Sequence, residues 1–376
     1  MADYIQILLE GGAVLVVLLL FVTGATNKKI KGTQVIVCLA VFVFLLAVVG
    51  FRFDYEGNPN NDLSRYIYSI EILKNTGFRW SIPRGNDFEV IYTLIANAAA
   101  YLPNYHLFPF ITVLIEYSIY AYILASEAQR FEIQGIDILL CIVVKLSLLP
   151  AIMSISGARS TLAATLFCLG IYLLERKNPR VAYTLMISSC FIHFAALVYL
   201  GIYILSNLIY KKQKLVPLMA VWGGALGLII NLMGNLQNTE IGMLLYQKTV
   251  GYAAEENYTN MRRVRWMMPG LIMLALICLV YLYFSRSPYS KRSFFYVVVL
   301  AVNFGACSVM PTLSNRLCYV LSSLFPLLFS EIQHCSSRHK KLIHLYFYIA
   351  GIVFFIFTRW GWIRELVQVV EDSLAR

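Results

Sequence analysis

The chain has 376 residues, 59% of them hydrophobic and 14% charged, with a formal net charge of +11. Apolar runs of bilayer-crossing length recur along it, which points to an all-α polytopic integral membrane protein and excludes a soluble globular core. In such a chain the positive balance reads first as membrane orientation, and no nucleic-acid partner is expected.

The first apolar run, Tyr4 to Val22, follows Asp3 rather than a basic leader and lacks a small-residue cleavage site, so it reads as a retained helix. Further runs fall near 34–50, 106–125, 135–150, 158–174, 181–192, 195–210, 215–232, 266–284, 294–310, 316–332 and 342–358, giving about twelve crossings in a single transmembrane domain over 1–376. Alternate connections collect Lys28, Lys29 and Lys31; Arg176, Lys177 and Arg180; Lys211, Lys212 and Lys214; Arg286, Lys291 and Arg292; and Arg338, Lys340 and Lys341. Short loops keep lysine and arginine in the cytoplasm, so both termini are expected outside. The stretch 181–210 is long for one crossing and short for two, but basic clusters flank both ends. It reads as a hairpin of two short helices turning near His193 at the outer face.

Two large connections, 51–105 and 233–265, fall on the outer side. The first contains the apolar segment Phe88 to Leu102, expected to lie in or re-enter the interface, and the second contains Met243, Leu244, Leu245 and Tyr246. Long connections with such composition are more often functional than disordered. In the final stretch, 360–376, Ile363, Leu366, Val367, Val370 and Leu374 recur at helical spacing behind Trp360 and Trp362, which predicts an interfacial amphipathic helix. Gly223 and Gly227 have the spacing of a close helix approach. The eight cysteines are scattered without a CxxC pair, and no HExxH, Ser-His-Asp order or glycine-rich phosphate loop occurs, so a metal-free, cofactor-free mechanism is the simplest expectation.

Charge concentrates at three places on the expected outer face. GFRFDYEGNPNNDLSRYIYSIE, from Gly50, places Arg52, Asp54, Asp62, Arg65 and Tyr66 just beyond the second span. Asp62 and Tyr66, at i and i+4, would share a helical face after an N-cap at Asn61 or Asp62. A carboxylate beside arginines could accept a proton from a sugar hydroxyl; a solvated loop with local ion pairs is the plainer reading. SISGARSTL puts Arg159 in the first turn of a helix after Pro150, and TLSNRLCY is read as having Arg316 open another helix after Asn315 and Pro311. Helix starts suit phosphate, and arginine adds a bidentate donor, although arginines at helix ends also anchor to headgroups. Arg262, Arg263 and Arg265 allow the same two readings. His193, among Phe191, Ile192 and Phe194, is either a hydrogen-bonded buried histidine or a catalytic one. Glu116 and Lys145 lie within spans at matching depth, so they are expected to pair across their hairpin, with ion or proton coupling as the competing role.

GFRFDYEGNPNNDLSRYIYSI resembles the block after the second span of the Wzy and EpsG-like bacterial surface-polysaccharide polymerases. SGARSTLAATLFCLGIYLLERKNPRVAYTLMISSCFIHFAAL is similar to that family's arginine helix, basic turn and helix ending in Phe-His, and NRLCYVLSSLF to its late arginine block. Ser160 stands where the family commonly has glutamine, and the acidic loop between Arg52 and Asp62 is longer. The resemblance implies a polymerase that moves a growing glycan from a polyprenyl pyrophosphate carrier onto a lipid-linked repeat unit, as in O-antigen, capsule or exopolysaccharide synthesis, at the periplasmic face of the bacterial inner membrane. Its implied partners are the lipid-linked oligosaccharides, membrane lipid and a chain-length regulator. Arg159, Arg316 and Arg52 would then stabilise the departing pyrophosphate, with Asp54, Arg65, Tyr66, Arg262, Arg263 and Arg265 as further binding residues, and Asp62 or His193 would take the acceptor proton. A flippase or transporter and an oligosaccharide ligase are the alternatives.

Overall fold

The computed structural model describes residues 32–52, 62–80, 89–131, 135–149, 151–174, 178–234, 290–307 and 310–334, with short helical pieces at 270–272, 274–275, 345–346, 348–351 and 353. The expected 5–22 span, nearly all of the 233–265 connection, most of the 266–284 and 342–358 spans and the 360–376 helix lie outside these residues. Every regular element among the described residues is helical. The chain divides into two compact units, Met1–Gly201 and Ile202–Arg376.

The first unit holds α1 (Gly32–Arg52), α2 (Asp62–Thr76), α3 (Val90–Ala99), α4 (Leu107–Phe131), α5 (Gly135–Leu148), α6 (Ala151–Ser156), α7 (Ala158–Leu174) and α8 (Pro179–Ile192). Local chemistry sets several of these limits. Gly77 closes α2 with a positive φ of 77°, its N–H reaching the Leu73 carbonyl at 2.9 Å, a backbone shape that favours glycine. α5 stops just short of Pro150, whose ring disfavours helix in the residue before it, and α8 opens on Pro179, where the missing N–H costs nothing.

Close backbone approaches fix the packing. A Cβ on Gly50 would sit 3.0 Å from the Pro109 carbonyl oxygen, which binds the end of α1 to the start of α4. A Cβ on Gly170 would meet Met186 at 2.6 Å and the Ala182 carbonyl at 2.8 Å, so α7 and α8 form a tight hairpin. α7 also joins α4 through the Tyr172 hydroxyl, which donates to Ser126 Oγ at 2.6 Å. In the middle of this unit Lys145 Nζ lies 2.9 Å from Glu116 Oε1, both side chains buried, and Ser154 Oγ donates to the same oxygen at 3.1 Å. The lysine is further flanked by the rings of Tyr117 and Tyr120. The pair expected from matching depth is present.

The helix α9 (Ala195–Ile209) contains the division between the units. Between α8 and α9 His193 is extended, at φ −152° and ψ 128°, so the 181–210 stretch is two helices broken where the sequence reading put the turn. The second unit then has a 3-10 turn over Tyr210–Leu215, α10 (Val216–Gly234), α11 (Lys291–Ala306) and α12 (Pro311–His334). Here α10 and α11 touch backbone to backbone: a Cβ on Gly223 would collide with Val302, and one on Gly305 with the Ala220 carbonyl. Gly223 therefore does allow a close approach, and it makes it against α11. Ser290 caps α11 by accepting the Ser293 N–H at 3.3 Å, while Glu331 of α12 accepts from the Ser290 N–H at 2.6 Å and its hydroxyl at 2.9 Å.

Among the described residues one helix, Leu107–Phe131, combines the length and apolar composition to cross a bilayer; Val35–Phe51, Val90–Ala99 and Ala158–Leu174 are shorter apolar helices. Large apolar side chains point outward on several helices, including Val37 and Phe44 of α1, Ile187 of α8 and Val221 and Leu228 of α10. So many exposed apolar groups suit a lipid surrounding better than water.

Candidate anion-binding site

Several helix ends meet at one end of the first unit. α2 begins at Asp62, and Arg65 NH1 contacts Asp62 Oδ1 at 3.3 Å, a partly exposed i,i+3 pair of the kind that adds little stability. One turn on, Tyr66 is buried, its ring packed edge-on against Tyr92 of α3 and Phe108 of α4. Phe51, next to Arg52 at the end of α1, packs on His106 and Phe110 at the same end of α4. These contacts bring the starts of α2, α3 and α4 and the end of α1 together.

Arg159 joins them from α7. Its NH1 donates to Glu89 Oε2 at 2.6 Å, and its guanidinium carbon lies 5.0 Å from the Tyr92 ring centre and 5.6 Å from that of Tyr66. The arginine side chain keeps 16% of its surface exposed and the glutamate only 1%. The other carboxylate oxygen, Glu89 Oε1, accepts the Phe194 N–H at 3.4 Å, so one buried acid links α3, α7 and the turn between α8 and α9. The Tyr92 hydroxyl is buried and has no hydrogen-bond partner among the described residues. Burial, helped by Tyr66, raises its pKa well above the ordinary tyrosine value against the opposing pull of Arg159, so the phenol stays protonated and remains a donor.

The start of α7 differs from a free helix end. α6 runs directly into it, the Gly157 N–H donates to the Met153 carbonyl at 2.9 Å, and the Gly157 carbonyl accepts from Ser160 and Thr161. The guanidinium of Arg159, more than loose backbone amides, is therefore the anion-seeking group here. His193 is buried, stacks on Phe194, and takes the Ala195 N–H on its Nδ1 at 3.0 Å. In the neutral ring that leaves the proton on Nε2.

Arg316 belongs to the second unit. Its helix opens at Pro311, so Arg316 falls in the second turn and does not begin the helix. Its NH1 donates to the Tyr319 hydroxyl at 3.2 Å. The neighbouring Ser314 Oγ and Asn315 Oδ1 are buried and have no hydrogen-bond partner among the described residues, as is true of Oδ1 of Asn303, whose amide donates to Cys318 Sγ at 3.3 Å. Arg52 is the last residue of α1, while Asp54, Arg262, Arg263 and Arg265 lie outside the described residues.

The model of the EpsG family matches residues 35–367. The chain belongs to the EpsG family. Neither the curated proteins nor the solved structures contain a match. Membership in the EpsG family points to a membrane-associated polysaccharide polymerase, and the matched stretch contains both units' arginines.

In this EpsG-family chain the residues brought together are Asp62, Arg65, Tyr66, Arg159 and His193, with two that the sequence reading did not single out, Glu89 and Tyr92. Glu89 carried a faint signal, being the lone acid at the front of the apolar segment FEVIYTLIANAAAYL. A carboxylate placed there must find a cation or remain costly. The assembled group can hold an anion at Arg159, offer a phenolic donor beside it, and present a carboxylate, Asp62, at its edge.

Proposed function

We propose that this protein elongates a surface polysaccharide by transferring the growing glycan from a polyprenyl pyrophosphate carrier onto the next lipid-linked oligosaccharide repeat unit. The observation that carries the reading is the guanidinium of Arg159, held by Glu89 and two tyrosine rings where the ends of several helices meet. An acceptor hydroxyl attacks the anomeric carbon of the donor, the bond from that carbon to the pyrophosphate oxygen breaks, and the pyrophosphate leaves with the electron pair. Arg159 and Arg52 stabilise the charge that grows on the leaving group. Asp62 receives the hydroxyl proton; it is better suited than His193, whose Nδ1 is engaged by Ala195.

The chain crosses the inner membrane about twelve times and works at the periplasmic face in this proposal, in keeping with its alternating basic loops. Purified protein given lipid-linked repeat units should produce a ladder of lengthening products on a gel. Absence of a ladder together with movement of the lipid-linked substrate between leaflets would replace the polymerase by a flippase, for which the buried Glu116–Lys145 pair is the supporting feature. Transfer to a different lipid acceptor, without lengthening, would indicate a ligase.

A further inference from the structure

Glu89 occupies the group on which an incoming phosphate would bind. Its Oε2 takes Arg159 NH1 at 2.6 Å, its Oε1 is tethered to the Phe194 N–H at 3.4 Å, and the residue is fully buried. A phosphate oxygen and a carboxylate oxygen cannot both take that NH1 donor without bringing two negative charges together in a low-dielectric setting. Beside them the buried Tyr92 hydroxyl has no hydrogen-bond partner among the described residues. An unpaired buried donor is unfavourable, and a phosphate oxygen next to Arg159 would pair it.

We propose that Glu89 is the built-in counter-ion of the pyrophosphate site: its carboxylate holds Arg159 between turnovers and is displaced by the donor's phosphate, which takes the Arg159 guanidinium and the Tyr92 hydroxyl together. This rests on the reading of Arg159 as the pyrophosphate-binding group. The displaced carboxylate keeps its place through the Phe194 amide, ready to reclaim the arginine. Competition of this kind lowers the affinity for the carrier pyrophosphate that remains after transfer and so favours its release. Glu89 is a positioning residue in this scheme, because it acts on the substrate through Arg159.

A purely structural ion pair and a displaceable counter-ion differ in sign. Glu89→Gln removes the charge and keeps one acceptor oxygen, which can serve the Phe194 amide or Arg159 but not both. Calorimetric titration of the purified full chain with inorganic pyrophosphate should show Glu89→Gln binding about tenfold more tightly than the wild type, Tyr92→Phe several-fold more weakly, and Arg159→Gln with binding abolished. Glu89→Asp, whose shorter arm competes less well, should fall between wild type and Glu89→Gln, and it serves if the glutamine variant fails to fold. Unchanged or weaker binding by the Glu89 variants, with Arg159→Gln still defective, overturns the counter-ion and leaves the anion site standing. Wild-type affinity in Arg159→Gln, no binding by the wild type, or equal competition by phosphatidylglycerol micelles overturns the pyrophosphate reading beneath it.

Discussion

Lys145 and Glu116 meet at 2.9 Å with both side chains buried, and the shared oxygen also accepts from Ser154. Removing one partner of such a pair strands the other charge, which costs about 3–5 kcal/mol, whereas replacing both by neutral groups of similar shape is often tolerated. Lys145→Met should therefore lower the thermal midpoint of the detergent-solubilised protein, and Lys145→Met combined with Glu116→Gln should recover much of the loss. A fully stable double variant without activity would assign the pair to coupling or catalysis.

Arginine at 159 is expected to matter beyond its charge, because its planar fork can hold two phosphate oxygens while stacking on Tyr66 and Tyr92. Polymer length and yield should fall sharply in Arg159→Lys and by about a hundredfold or more in Arg159→Ala, with protein in the membrane unchanged. The same assay on Arg316→Ala should show a comparable loss. Full-length polymer from either alanine variant would remove that arginine from the proposed reaction.

Cysteine accessibility addresses orientation. Single cysteines at Asn60 and Gln247 in a cysteine-free background should react with an impermeant reagent added from the periplasmic side. Reaction from the cytoplasmic side alone would invert the topology and move the proposed chemistry with it.

Gly305 has no room for a side chain, since a Cβ there would collide with the Ala220 carbonyl. Gly305→Ala should cost about 1–3 kcal/mol in stability by forcing α10 and α11 apart. Gly201, with nothing within 4 Å of an added Cβ, is the matched control, and Gly201→Ala should leave the thermal midpoint close to that of the wild type.

Some of this arrangement was legible because it follows from counting along the chain. The break at His193 and the Glu116–Lys145 pair both follow from segment length and depth, quantities that apolar periodicity encodes directly. Glu89 was not legible in that way: its partner lies seventy positions later on another helix, and only the folded chain joins them. The placement of Arg316 shifted for a local reason. Asn315 stands just before Arg316, but Pro311 is already suited to the first helical position, so the helix starts there and carries Arg316 into its second turn.

The grip of Glu331 on Ser290 has a bearing on where Arg316 points. That contact pins α12 to α11 about four turns from the arginine, and the Asn303–Cys318 contact fastens the same two helices within a turn of it. Helices held at two levels cannot turn freely against one another, and a rotation by one residue would swing Arg316 through about 100°. Glu331 thus sets the compass bearing of a guanidinium it never touches.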